Sequence, residues 1–207
     1  MIVIKIGGSL LNSTKLKKFL KIIVEQQKKC IVIPGGGIFA DTVRKEQKKI
    51  KFDDLTAHNL GVLSMLKVGY ILKYKIPTCC DIIKSVDEVS ISDRKIGIWN
   101  PENEITEKIN QFTNWSSTSD TIALKVSKKI DAKILIVLKS CKLPFATSDI
   151  QSFQLNNKKV KKCSGLYILD KAFPSVFANI TFPVYIFSID HEKNFKELLN
   201  NFQRTYD

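Results

Sequence analysis

Three short stretches of this chain carry residue types that could do chemistry on a phosphate. The first is Lys5-Ile6-Gly7-Gly8-Ser9. Two glycines after a β-rich run let the backbone turn sharply and approach a ligand with no Cβ in the way. The amides that follow, at a helix start, face an anion. Lys5 stands inside the apolar run IVIKI, where an ammonium is costly unless it faces something negative. Alone the signal is weak, because a tight turn beside a snorkelling lysine gives the same pattern. The second stretch is Pro34-Gly35-Gly36-Gly37, again between a short buried run and a helix. Three consecutive glycines exceed what a turn requires and offer a bare floor for a phosphate or carboxylate. Their spacing is neither the dinucleotide fingerprint nor a Walker A loop. The third runs from Ser116 to Thr121, hydroxyls and Asp120 at a helix start. An elaborate cap is the plain reading. Yet Asp120 would lie at the sheet edge that holds Lys5, where a carboxylate can fix lysine ammoniums by charge-assisted hydrogen bonds. Lys139, ending the buried run ILIVL, aims at the same edge.

Short apolar strands alternating with amphipathic helices must position these residues. Strands are predicted at 2–6, 31–34, 78–83, 96–100, 134–138, 166–169 and 184–188. Helices are predicted from Ser13 to about Lys28, over 39–49, from Asp53 or Asp54 through Tyr74, from about Ser119 to Lys129, and from about Glu192 to Phe202. The polar, Lys-rich stretch 141–163 reads as a loop or hairpin over the sheet edge. The alternation predicts an α/β fold, a largely parallel sheet covered on both faces. Ligands of such sheets bind beyond the carboxyl ends of the strands, where the three stretches fall.

The 207 residues suit a single domain spanning 1–207, able to bury a full core without disulfides or structural metal. No apolar run approaches the length of a membrane helix. Residues 1–11 are apolar but broken by Lys5, Gly7 and Gly8, unlike a leader peptide, so the expected location is cytoplasmic. Five scattered cysteines without a CxxC pair read as reduced thiols. The net charge of +13 admits nucleic-acid binding. However, the lysine runs at 15–21, 45–49 and 158–162 hold a single aromatic, Phe19, and so lack the repeated interleaving that base stacking uses. Solvated helix faces explain them more simply, and a cationic surface also attracts polyphosphate substrates.

Taken together and in this order, KIGGSLL, PGGG and SDTIAL resemble the amino-acid kinase family, which includes acetylglutamate, aspartate, uridylate and isopentenyl phosphate kinases. The resemblance spans most of the chain. It implies a three-layer αβα sandwich, with an acceptor-binding half over roughly 1–115 and a nucleotide-binding half over roughly 116–207. It implies ATP as donor, Mg²⁺ bound through ATP with no metal site of the protein's own, a small anionic substrate and a homo-oligomer. Lys5, Asp120 and Lys139 take the catalytic positions. Gly7, Gly8, Ser9, Ser119, Ser140 and Cys141 join Lys5 and Lys139 on the ATP side. Gly35, Gly36, Gly37, Asp41, Arg44 and Ser117 fall to the acceptor. The chain also departs from the family. Where most members have Asp-Gly after the fifth of these strands, it reads KSCKLPFA (139–146). The later lysine-bearing segment has only a loose echo in Gly165-Leu166 and Lys171.

Within the family, the short chain, PGGGxFAdxVR and the WSSTSDTIA run look most like a small subgroup of methanofuran biosynthesis, a branch of one-carbon metabolism. Its members phosphorylate an aminomethylfuranyl-methyl phosphate to the diphosphate. On that likeness Asp41 would pair with the acceptor's amine and Arg44 would support the acceptor side, although a surface i, i+3 pair explains both equally well. His58, a lone histidine, reads as structural. Kinases of another carboxylate or nucleoside monophosphate, and a non-catalytic nucleotide- or anion-binding protein, stay open as alternatives.

Overall fold

In the computed structural model, residues 1–91, 93–145 and 149–206 are described. Strands β1 (Ile2–Ile6), β2 (Cys30–Pro34), β3 (Cys80–Ile83), β4 (Ile96–Trp99), β5 (Ile134–Lys139) and β6 (Val184–Ser188) form one parallel sheet in the order β3-β4-β2-β1-β5-β6. β1 and β2 are buried at every position, as strands flanked on both sides by neighbours and covered on both faces must be. The chain moves from β1 to β2 on one side, then returns to place β5 on the other. That reversal beside β1 opens a crevice at the carboxyl ends of the strands.

Helices cover the sheet. α1 (Leu16–Glu25) and α8 (Glu192–Tyr206) pack together through Phe19 and Phe195, whose ring centroids lie 5.1 Å apart. Phe195 also meets Phe187 of β6 edge-on at 6.0 Å. α5 (Ser119–Lys129) lies against β1 and β5 and is joined by α7 (Phe173–Phe177), on which α6 (Asn157–Gly165) packs. α2 (Gly37–Ile50) and α3 (Asp54–Lys75) pair over the β2–β4 half, while α4 (Val86–Ile91) covers β3 and β4.

Two sequence expectations need correction. Residues 166–169 are not a strand. They turn back after α6, with Tyr167 in the left-handed region at φ 56° and both Leu166 and Tyr167 exposed. A four-residue apolar run carries no period by which strand and turn can be told apart. Residues 141–163 are not a loop or hairpin throughout. They contain a 3-10 turn (Ile150–Phe153) and α6, which Asn156 caps by accepting from Lys159 N. Only Val160 and Cys163 of α6 are buried, so four lysines masked a narrow apolar stripe. Gln154 and Leu155 do run along the sheet edge, where Leu155 N donates to Val184 O at 2.7 Å, while 146–148 lie outside the described residues.

Candidate active site

The two glycine turns meet each other. Gly7 N donates to Leu138 O at 3.0 Å and Gly35 N donates to Ile6 O at 2.8 Å, which seats each turn on its neighbouring strand. A Cβ on Gly8 would stand 2.1 Å from Gly37 N, and one on Gly35 would stand 2.5 Å from Gly8 N. Gly37 itself adopts φ 53°, a conformation glycine takes freely. So part of the glycine requirement is mutual, because the turns touch backbone to backbone. Gly7, Gly8, Gly36 and Gly37 line a cavity of about 200 Å³. Gly35 does not line it and lies beneath, in the contact between the turns.

Lys5 reaches the cavity floor from β1, in register with Ile33 of β2 and Val137 of β5. Its Nζ lies 2.6 Å from Asp120 Oδ1, with both side chains only 3% exposed. The Lys139 ammonium, at the end of β5, donates to Asp120 Oδ2 at 2.6 Å. One carboxylate therefore bridges two ammoniums, and it sits under the cavity wall while both lysines line it. Burial by itself would raise the Asp120 carboxyl, but Lys139 and Lys5 outweigh it and hold the group down at about 2. Burial lowers the Lys5 ammonium more than Asp120 can restore. For Lys139, which keeps more exposure, Asp120 outweighs burial and the group is raised. The deeper ammonium is thus the less compensated of the two, and an incoming anion would stabilise it most.

Around this floor the cavity has distinct walls. Ser9 and Ser119 line it near the lysines, and Ser9 Oγ lies 2.8 Å from Ser140 Oγ. Ser140 and the exposed Cys141 are not among its lining residues. Ser117 lines it with a buried hydroxyl that has no protein partner. On the opposite side Asp41 and Arg44 project from α2, 3.9 Å apart. The Arg44 guanidinium stacks 4.5 Å over the Trp115 ring, and Trp115 Nε1 donates to Gln47 Oε1 at 2.5 Å. His58 also lines the cavity. Its Nε2 lies 3.2 Å from Glu104 O, and because a carbonyl only accepts, that nitrogen carries the proton. Lys171 is elsewhere, over the Tyr167 ring at 5.7 Å in a neighbouring recess.

Sequence reasoning missed Asp170. Thr118 N and Thr121 N each donate to its Oδ2 at 2.9 Å, and Thr118 Oγ1 donates to its Oδ1 at 2.5 Å. It therefore caps α5 from a distant part of the chain, where Thr118, at the N-cap, has no side-chain bond to its own helix. No local spacing signals a cap that arrives from fifty residues away.

A sequence model of the amino acid kinase family matches residues 1–142, and the chain belongs to that family. It is a phosphotransferase, an ATP-dependent kinase. It is 26% identical to a [5-(aminomethyl)furan-3-yl]methyl phosphate kinase of Methanocaldococcus jannaschii over 100% of this chain and 96% of that one. Its fold is similar to uridylate kinase of Archaeoglobus fulgidus, with a TM-score of 0.66 and 17% identity over 96% and 95% of the two chains. It is also similar to carbamate kinase of Giardia lamblia bound to AMP-PNP, with a TM-score of 0.58 and 11% identity over 97% and 95%.

Proposed function

We propose that the chain transfers the γ-phosphoryl group of ATP to a small phosphomonoester that carries an amine, [5-(aminomethyl)furan-3-yl]methyl phosphate, giving its diphosphate. The observation that carries the reading is the buried Lys5–Asp120–Lys139 set at the foot of two touching glycine turns. An acceptor phosphate is already anionic at neutral pH, so its oxygen attacks the γ-phosphorus without a strong general base. The bond from that phosphorus to the β-phosphate oxygen breaks and ADP leaves. Catalysis is then positioning and charge stabilisation. Gly7, Gly8 and the start of α5 would take the donor's phosphates, and Lys5 and Lys139 the transferring group. Asp120 orients the lysines and takes no proton.

The residues present suit a nucleotide's phosphates, since Gly7 and Gly8 line the cavity together with the Lys5 and Lys139 ammoniums. Mg²⁺ would come with the nucleotide and neutralise its oxygens, because Asp120 is committed to two lysines and Asp170 to the α5 cap. Gly36, Gly37 and the unpartnered Ser117 hydroxyl would receive the acceptor's phosphate. Trp115, Val62 and Met65 supply an apolar wall for a small ring, and Asp41 a carboxylate for its amine. The exposed Leu60, Leu63, Tyr70 and Tyr74 of α3 support a homo-oligomer, which sedimentation would test.

The test is ADP release with Mg²⁺ and ATP across a panel of acceptors. The panel includes the aminomethylfuran phosphate, its analogue without the amine, UMP, carbamate and acetylglutamate. Turnover is expected to be fastest on the amine-bearing phosphomonoester. Faster turnover on UMP or on a carboxylate would replace that acceptor. No ADP with any acceptor would favour a non-catalytic nucleotide-binding protein, which the absence of Asp-Gly in 139–146 also suggests.

A further inference from the structure

Asp170 caps α5 but has no part in the transfer described above, yet it is a half-buried carboxylate whose charge acts on both lysines. Three groups at the start of α5 donate to it: Thr118 N, Thr118 Oγ1 and Thr121 N. The segment around it is stitched to the same place, since Ala172 N donates to Ser116 O at 2.8 Å and Ser164 Oγ donates to Asp170 O at 3.1 Å. Asp120 lies between the two anchored residues Thr118 and Thr121. The carboxylate that bridges the lysines therefore has its backbone fixed by a second carboxylate.

We propose that Asp170 is a positioning residue for phosphoryl transfer: it holds the α5 start that presents Asp120, and its charge completes a set of two lysines and two aspartates. The count matters. With Asp120 alone, Lys5 and Lys139 would place two positive charges against one carboxylate in a largely buried corner, a costly arrangement without a ligand. With Asp170 two carboxylates face the two lysines, which favours the protonated lysines before a nucleotide arrives. The attraction between Asp170 and each lysine acts in that direction, while Asp120 repels it. Among the described residues, the charged or titratable groups facing this cluster are Lys5 from β1, Lys139 from β5, Asp120 from α5, Cys141 just beyond β5 and Cys163 from α6. Lys171 is adjacent in sequence, but its ammonium lies over Tyr167.

The inference rests on the lysines meeting the nucleotide's phosphates and not on which acceptor is used. Its test is accordingly AMP-PNP binding, measured by calorimetry from neutral pH upward on wild type, Asp170→Asn and Asp170→Glu. Asparagine can accept both amides on its oxygen and donate to Thr118 Oγ1, so it keeps the cap and removes only the charge. Removing a nearby negative charge makes an ammonium easier to deprotonate. Binding should therefore be lost at lower pH in Asp170→Asn than in wild type, while Asp170→Glu keeps the wild-type alkaline limit. Failure of the asparagine variant to fold while the glutamate variant folds would overturn the proposal, because the carboxylate would then serve the fold and not the lysines. An unmoved alkaline limit in Asp170→Asn would overturn it, as would equal losses at every pH in both variants, because a cap alone produces those results.

Discussion

At the scale of single residues, Asp120 separates two kinds of contribution. It lies under the cavity wall, so its removal deletes no contact with substrate, yet both lysines lose the carboxylate that aims them. Asp120→Ala, like Lys5→Ala, should lower kcat/KM by about 100-fold or more, the usual cost of a lost preorganised charge interaction. Steady-state ADP release checks this, and a loss under tenfold for either variant would contradict the assigned roles. Acid should reveal the same carboxylate in stability. Asp120 is held down at about 2 against an ordinary 3.8. A depressed carboxyl stabilises the fold above its unfolded value and loses that contribution as pH falls toward the folded one. Urea midpoints taken downward from neutral pH should therefore show a loss between about pH 4 and pH 2, on the order of 2 kcal/mol, that is absent in Asp120→Asn. Asp170, raised by burial and by Asp120, acts in the opposite sense and blunts the slope.

At the scale of elements, the α1–α8 layer stabilises the sheet face away from the lysines. Phe195 is fully buried between Phe19 and Phe187. Phe195→Ala should cost about 3–5 kcal/mol in chemical denaturation. ATP turnover of the protein that remains folded should be nearly unchanged, since Phe19, Phe187 and Phe195 do not line the cavity. Much at this scale was legible in the sequence. The glycine turns after β1 and β2 and Lys5 inside an otherwise apolar strand announce themselves by violating local expectation, and Asp120 by starting a helix at the same sheet edge. What stayed hidden lacked such a violation. Asp170 follows the run Leu166–Leu169, which resembles a strand but folds as a turn because α6 has to reverse there. The helix α6 hid behind its lysines, and the contact of Gly35 with Gly8, away from the cavity lining, has no local signal. Pairings between distant segments leave no periodicity to read.

At the scale of the whole molecule, the net charge of +13 bears on substrate capture. Long-range attraction for ATP should be screened by salt, while the buried Lys5–Asp120 contact should not. KM for ATP should therefore rise several-fold between low salt and about 0.5 M, where the Debye length falls below about 5 Å, with kcat little changed. A fall in kcat with a constant KM would place the salt effect at the chemical step instead. The sheet order serves the same end, because the reversal beside β1 brings β2 and β5 to either side of Lys5. One geometric feature has reach beyond catalysis. Gly8 and Gly37 meet through main-chain atoms, so the spacing between the proposed donor and acceptor platforms is written into the backbone. Side-chain variation around the rim can retune which molecule is accepted without altering the distance the phosphoryl group must travel. Such a chain can change its clientele by drift at Asp41, Arg44 or Trp115 while the ruler between the platforms stays the same length.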